Sequence, residues 1–511
     1  MPVALRALLR RVRAWPWARF AAGCLAGVAA LVVTFLLRVM GLGVFLPEVA
    51  LEAVVTHIPG SIESFFIASL GEGAKLLGLA SAVVAVLAAF GIGALFFRRI
   101  QNAIPQRWAV IMVYTLGGAA VILLVVLPLL GAGFLGSETE SGVSFAAFSQ
   151  LVGTWLYAAV LDYLLVDVAA RHPEGFGLTR RQFILGGAAA LAAFAVALYG
   201  LGSVISAPAR LRFASALDMF AKEVTPTGEF YVVTKNVLDP KVEPTGWRLT
   251  VGGLVASPLT LSLADLQGRM QTQEFATMEC VSNEVGGNLI GTAKWSGLRL
   301  ADLLAEAGVQ PGADWVQFSC ADGYTVAIPL VKAMEPATLL VLAMNDAPLH
   351  DQHGAPARIL VPGKYGMFSA KWVTQIRLVQ GEFKGFWQDK GWTNDGRIRT
   401  TAIIATPAAD SVVASPVTIG GVALSDAQGI SKVEVSTDGG STWSEAQLHD
   451  PKDPLLTWRL WTFSWTPPGA GAFRIRARAT DGPGNPQDPA VAPPYPNGSS
   501  GYDGITLYVN G

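Results

Sequence analysis

Five apolar runs at the front of the chain restrict its fold more than any other feature. They cover approximately residues 18–40, 74–97, 108–131, 145–168 and 182–206, and each reaches the roughly 20 helical residues needed to cross a hydrocarbon core. Arg6, Arg10, Arg11 and Arg13 precede the first run and Arg19 stands at its start. Arg98, Arg99 and Arg107 lie between the second and third, and Arg171, Arg180 and Arg181 between the fourth and fifth. The other two connections carry Glu48, Glu52, Glu63, Glu72, Glu138 and Glu140, with Lys75 beside them. Cation-rich connections stay on the cytoplasmic side. The N-terminus is therefore expected inside and everything after the fifth run outside, a multi-pass arrangement in a bacterial inner membrane. The other reading of the runs is a set of helices buried in a soluble core.

Composition supports a divided chain. Of 511 residues, 52% are hydrophobic and 15% charged, which is too apolar for a purely soluble protein, and the excess sits at the front. The expected segments are 1–209, a transmembrane region, then 210–400 and 401–511, two globular domains. A net charge of −1 gives no sign of a nucleic-acid partner.

LTRRQFILGGAAALAAFAVALYG, residues 178–200, sets Arg180 and Arg181 before the fifth run in the pattern of a twin-arginine export signal. In the expected topology the pair faces the cytoplasm, so the signal would act on the domain behind it. Two arginines before a span are equally ordinary topology residues. A haem between the helices would need axial ligands, usually histidine, yet His57 and His172 fall in connections and His350, His353 and His449 come later. Asp162 and Asp167 are the main candidates for an ion path in the fourth run. An anchor or partner-docking bundle accounts better for so few ionisable groups.

The chemistry is expected beyond residue 210. ATMECVSNEVGGNLIGTAKWSGLRLADLLAEAGV, residues 276–309, places Cys280 after a strand-like segment and before a Gly-rich loop, Trp295 and an amphipathic helix with Leu300, Leu303 and Leu304. A thiolate is a soft ligand suited to a redox metal. Cys280 could equally be a buried structural thiol, or pair with Cys320 as a disulfide in an oxidising compartment.

This segment resembles the molybdenum-pterin domain of the sulfite oxidase family, in which one cysteine followed by W-x-G-x-x-L supplies the only protein thiolate to molybdenum. LHDQHGAPARILVPGKYGMFSAKWVTQIRLV, 349–379, resembles the family's H/N-G-x-P-x-R stretch that ends in a lysine, and EFYVVTKN, 229–236, resembles its F-Y-E-F opening strand. The resemblance implies a mixed α+β domain, a molybdenum–molybdopterin cofactor and Cys280 as catalytic metal ligand. It implies that His353, Arg358, Ser369, Ala370 and Lys371 hold pterin and phosphate, and that Tyr231 and Val232 contact the pterin. Cys320, in QFSCADGY, falls where the reductase branch has a threonine near the cofactor. A planar guanidinium and a lysine point charge suit a phosphate and a polar bicyclic ring. Otherwise Arg358 and Lys371 are solvated charges.

Departures from the family bear on substrate. Sulfite oxidases follow the ligand cysteine with asparagine and two arginines; here Val281, Ser282, Asn283, Glu284 and Val285 follow. Phe383 stands where the family's D-Y-K-G-F segment has a tyrosine. A carboxylate in place of a cation repels an anion, so sulfite is doubtful and a neutral S-oxide is the rival substrate. Glu284 is alternatively a surface carboxylate.

From about residue 405, SKVEVSTDGGSTW and GAFRIRARATDGPGN alternate in the manner of an immunoglobulin-like sandwich. That segment resembles the dimerisation domain of the same family, which implies a homodimer. Asp438, Gly439 and Gly440 read as a hairpin turn, and Trp443, Trp458, Trp461 and Trp465 as hairpin and core residues. No cysteine cluster or haem-attachment motif occurs, so electrons need a separate partner, quinone-linked or haem-bearing. The expected function is a membrane-anchored, extracytoplasmic molybdenum-pterin oxidoreductase moving an oxygen atom to or from a small substrate. Its rivals are a sulfoxide reductase acting in protein repair, a sulfite oxidase, and a non-catalytic membrane receptor that kept the fold.

Overall fold

The computed structural model describes residues 17–62, 66, 73–139, 141–168, 210–236 and 239–510. They fall into two compact units, one built mainly from residues 17–57 and 73–168, the other from residue 210 onward. The expected fifth run at 182–206, the Arg180–Arg181 pair and the side chain of Asp167 lie outside the described residues.

In the first unit, four described helices are long and apolar enough to cross a membrane: Trp17–Val39, Leu77–Ala103, Arg107–Leu129 and Gly142–Val166. They coincide with the first four runs of the sequence. Small residues bring the first two together. A Cβ on Gly23 would lie 2.6 Å from Ala94 Cβ, and one on Gly27 would lie 2.9 Å from Phe90 Cδ2. Gly23 and Gly27 sit one turn apart, which lets two helix backbones approach in an apolar solvent. Arg107 Nη2 pairs with Asp162 Oδ2 at 2.5 Å, and Arg38 Nε with Glu48 Oε2 at 2.8 Å. Asp162 is therefore neutralised by an arginine rather than standing alone within its helix.

The first half of the second unit contains β1 (Arg248–Gly253), β2 (Leu259–Ser262), β3 (Thr272–Glu279), β4 (Ile290–Arg299), β5 (Trp315–Cys320), β6 (Thr325–Pro329), β7 (Leu339–Met344), β8 (Ala347–Pro348), β9 (Arg358–Leu360) and β10 (Val373–Val379). One sheet runs β2-β1-β10-β5-β6, with β1 and β10 parallel. The other runs β3-β4-β7-β8, with β9 on β7. In β5, WVQFSC alternates so that Val316, Phe318 and Cys320 face inward, the period-two signature of a half-buried strand. The expected amphipathic helix is Leu300–Ala307, and it buries Leu300, Leu303, Leu304 and Ala307 against this core. Full burial of each leucine contributes roughly 1.5–3 kcal/mol. The expected opening strand at 229–236 does not form. Its backbone bonds locally, with Glu229 and Phe230 N–H donating to Pro226 O and Asn236 N–H to Thr234 Oγ1, so no ladder is available to it.

Nine further strands follow: β11 (Thr401–Thr406), β12 (Val412–Val413), β13 (Val417–Leu424), β14 (Ile430–Ser436), β15 (Ser444–Glu445), β16 (Gln447–Leu448), β17 (Arg459–Trp465), β18 (Gly471–Asp481) and β19 (Asp503–Val509). They make two open sheets, β11-β13-β17-β16 and β12-β19-β18-β14-β15. Ile419 and Trp461 from the first share one core with Val433, Ile475, Ala477 and Leu507 from the second. The Asp438 turn links β14 to β15. Its carboxylate accepts from the Ser441 and Thr442 N–H groups, and Gly439 and Gly440 supply φ of 81° and 109°, which side chains resist. Trp458, Trp461 and Trp465 are buried.

Candidate functional site

Cys280 comes directly off the end of β3 into the wall of a solvent-open cleft. The strand stops there because the chain turns back on itself: Asn283 N–H donates to Cys280 O at 3.0 Å, and Cys280 N–H donates to Leu289 O at 2.9 Å. Cys280 is 8% exposed, and its Sγ lies 3.0 Å from Ser282 Oγ. Beside it, burial pushes the Glu279 carboxyl up to about 7, opposed by the Asn283 amide that donates to Glu279 Oε1 at 2.9 Å.

The cationic side of the cleft starts with β9. Arg358 is buried, with Nη1 donating to His353 O at 3.1 Å and Nη2 to Ser369 O at 3.2 Å. Its Nε has no partner. Burial lowers its pKa to about 10, which leaves it charged at neutral pH. His353 ends a short turn, Asp351–His353, and its Nε2–H donates to Thr227 O at 3.1 Å. Burial lowers its pKa to about 4, and the charges of Arg358, Lys371 and His350 add to the shift, so the ring is neutral at neutral pH. Lys371 Nζ donates to Gln352 O at 3.0 Å and lies 4.3 Å from the centroid of the Trp372 ring.

Tyr231, Val232, Cys280, His353, Arg358, Ser369, Ala370 and Lys371 all line this one cleft. Cys320 does not. It ends β5 inside the apolar core with Phe368 and Ala370, where burial holds its thiol well above the ordinary range. Among the described residues no disulfide joins Cys320 to Cys280. Glu284 and Val285 also lie outside the lining, which stops at Ser282. The reason is the next turn, closed by Gly287 N–H donating to Glu284 O at 2.8 Å. The pocket charge expected from Glu284 is thus absent from the wall, as is Phe383.

Lining residues that the sequence reading missed include Lys235, Asp322, Tyr324, Met367, Trp387 and Trp392. Lys235 Nζ stands 4.0 Å from Asp322 Oδ2, with Asn236 bonded to both. Tyr324 OH donates to Met367 O at 2.6 Å. Trp387, Trp392 and Met367 pack in one apolar cluster with Val281, on the Cys280 side of the cleft. Two tryptophans in FWQDKGW were a visible signal. Asp322 and Tyr324 sit in the QFSCADGY segment that drew attention only for its cysteine.

A family described as "Oxidoreductase molybdopterin binding domain" matches residues 236–387, and one described as "Mo-co oxidoreductase dimerisation domain" matches 394–490. The chain carries a molybdopterin oxidoreductase domain with sulfite-oxidase-like homology. It is 29% identical over 327 residues to the sulfite oxidase of Gallus gallus, covering 54% of this chain and 71% of that one. It is 31% identical over 320 residues to the mitochondrial sulfite oxidase of Homo sapiens, covering 53% of this chain and 58% of that one. The chain thus spans less than two thirds of the human protein. The structure of the sulfane dehydrogenase SoxCD from Paracoccus pantotrophus is similar over 55% of this chain and 80% of its own, with 24% identity and a TM-score of 0.49.

Molybdenum–molybdopterin is the cofactor typical of these two domains. The cleft fits it. Cys280 offers a sulfur ligand, and Arg358 and Lys371 offer cations for a phosphate, in the same cleft. Three buried polar atoms without a protein partner, Tyr231 OH, Arg358 Nε and Trp392 Nε1, belong to residues of this cleft. Buried polar groups ordinarily find partners, and a polar bicyclic ring with a phosphate offers several.

Proposed function

We propose that the chain is a membrane-anchored, extracytoplasmic molybdenum-pterin oxidoreductase that transfers an oxygen atom to or from a small substrate. The convergence of Cys280, Arg358 and Lys371 on one cleft carries this reading. When bound, the cofactor supplies the metal centre for two-electron oxygen-atom chemistry. Cys280 Sγ serves as its protein ligand. Arg358 and Lys371 hold the phosphate, neutral His353 meets the pterin without adding charge, and Ser369, Ala370, Tyr231 and Val232 complete its walls. Cys320 supports that wall from behind. Trp387, Trp392 and Met367 keep bulk water from the metal side.

In the same reading, the four described helices and the 182–206 run make a five-span anchor in a bacterial inner membrane. Arg180 and Arg181 direct export of the folded domain. Segments 1–209, 210–400 and 401–511 are the anchor, the cofactor domain and an immunoglobulin-like module that pairs two copies. Electrons pass to or from a separate quinone-linked or haem protein.

The Lys235–Asp322 pairing favours a neutral oxide, as in sulfoxide reduction, over sulfite. Lys235 already has a carboxylate beside it, and Arg358 and Lys371 are taken up by the phosphate in this reading, so among the described residues of the lining no cation is left over for an anionic substrate.

Metal and pterin analysis of the purified full chain tests the proposal. One molybdenum and one pterin are expected, and Cys280→Ser should abolish turnover while pterin stays bound. A chain with neither group would be a receptor that kept the fold.

A further inference from the structure

The turn after Cys280 is organised by a residue that does not reach the cleft. Asn283 is 2% exposed, and all its polar groups are used. Its N–H donates to Cys280 O, its Nδ2 donates to Glu279 Oε1 at 2.9 Å, and its Oδ1 accepts from Leu289 N–H at 2.9 Å. Its carbonyl accepts from Ser499 Oγ at 2.8 Å. Ser499 belongs to the YPNGSSGYDG stretch, 495–504, which leads into the last strand, β19.

That stretch holds the turn at further points. Asp503 is 1% exposed and accepts from Arg210 Nη2 at 2.6 and 2.7 Å and from Ile404 N–H at 2.8 Å. The residue after Arg210, Leu211, donates its N–H to Gly286 O at 3.0 Å. Gly286 has φ 79°, and a Cβ there would lie 2.6 Å from Asp503 Oδ1 and 2.7 Å from Arg210 Nη1. The glycine is needed for this close approach. Tyr495 packs edge-on against Trp392 with centroids 5.2 Å apart, and Thr393 N–H donates to Pro496 O. One segment therefore touches both the ligand turn and the aromatic wall.

We propose that Asn283, braced by Ser499, is the positioning residue that fixes where Cys280 presents its sulfur, and that residues 495–503 belong to the active-site assembly. The inference rests on the reading of Cys280 as the metal ligand. Asn283 leaves the turn one register in which Cys280 can sit, and Ser499 holds Asn283 from outside the sheet that carries Cys280. A change at Ser499 therefore reaches the sulfur without touching the cleft.

The test compares the full chain with Ser499→Ala and Ser499→Thr, using iodoacetamide labelling of cofactor-free protein read peptide by peptide in a mass spectrometer. Cys320, buried in the same domain, is the internal reference. Ser499→Ala should speed labelling of Cys280 by about five-fold, the scale of one lost hydrogen bond, with Cys320 unchanged; Ser499→Thr keeps the hydroxyl and should restore the slow rate. In loaded protein, Ser499→Ala should shift the metal's paramagnetic resonance and lower kcat more than it raises KM. An unchanged Cys280 rate, or equal acceleration of both cysteines, overturns the proposal. If the chain holds no molybdenum, the proposed function fails while the labelling still reads the brace.

Discussion

The guanidinium of Arg358 lies over the indole of Trp295, its central carbon 5.1 Å from the ring centroid. Trp295 is fully buried, and its Nε1–H donates to Ala276 O at 3.1 Å. The tryptophan of the W-x-G-x-x-L pattern is thus a platform for the cation of the distant H-G-A-P-A-R stretch, because an aromatic face attracts a desolvated guanidinium.

Replacing that platform should separate packing from cofactor retention. Trp295→Phe keeps an aromatic face and loses one hydrogen bond, costing about 1 kcal/mol, with pterin retained. Trp295→Ala should cost about 3–5 kcal/mol and release pterin as Arg358 loses its seat. Denaturation of the detergent-solubilised chain and pterin fluorescence after acid oxidation check the two effects.

His353 sets an acid limit on stability. Its native pKa is lowered to about 4 from the ordinary 6.5, so on acidification the unfolded chain takes up this proton first. The contribution is complete above about pH 6.5 and is lost as pH falls toward 4, amounting to about 2 kcal/mol at pH 5. His353→Gln should flatten that part of the profile, measured as Tm against pH. An equally steep loss in the variant would assign it to other groups.

Charges outside the cleft should be nearly silent. Glu284→Arg with Val285→Arg should change KM for sulfite and for dimethyl sulfoxide by less than about two-fold, with metal content matched, because screening weakens charges beyond the wall. Lys235→Met leaves Asp322 without its cation and should raise KM for sulfite about ten-fold, equivalent to 1.4 kcal/mol. The reverse ranking would return Glu284 to the pocket.

Arg180→Lys with Arg181→Lys keeps the positive charge and should preserve topology preference while blocking delivery of the folded domain. Protease added outside should then fail to reach residues beyond about 210. Full cleavage in the double variant would reduce the pair to a topology signal.

The parts legible in the sequence were those with a local signature. The first four apolar runs needed only length and Leu300–Ala307 only its leucine spacing, and the motifs alone picked out Cys280, Arg358 and Lys371, which line one cleft. Lys235, Tyr324 and Trp392 were not legible as site residues, because nothing local to each says that the sheets bring them to the same wall. Glu284 shows the same limit: the family resemblance puts it where arginines occur, but a tight turn carries it out of the lining, in keeping with the alternative of a surface carboxylate. Asn283 stood out in the sequence only as one of the residues after Cys280, and its role depends on Ser499, which local pattern cannot reach.

Arg210 and Asp503 are separated by 293 positions in the chain. During synthesis at about 5–20 residues per second, the arginine waits about 15–60 s for its partner. The clasp beside the Cys280 turn can close only when almost the whole domain has left the ribosome. The clasp therefore depends on the last strand, and a chain cut short before Asp503 leaves Arg210 without this partner beside the Cys280 turn.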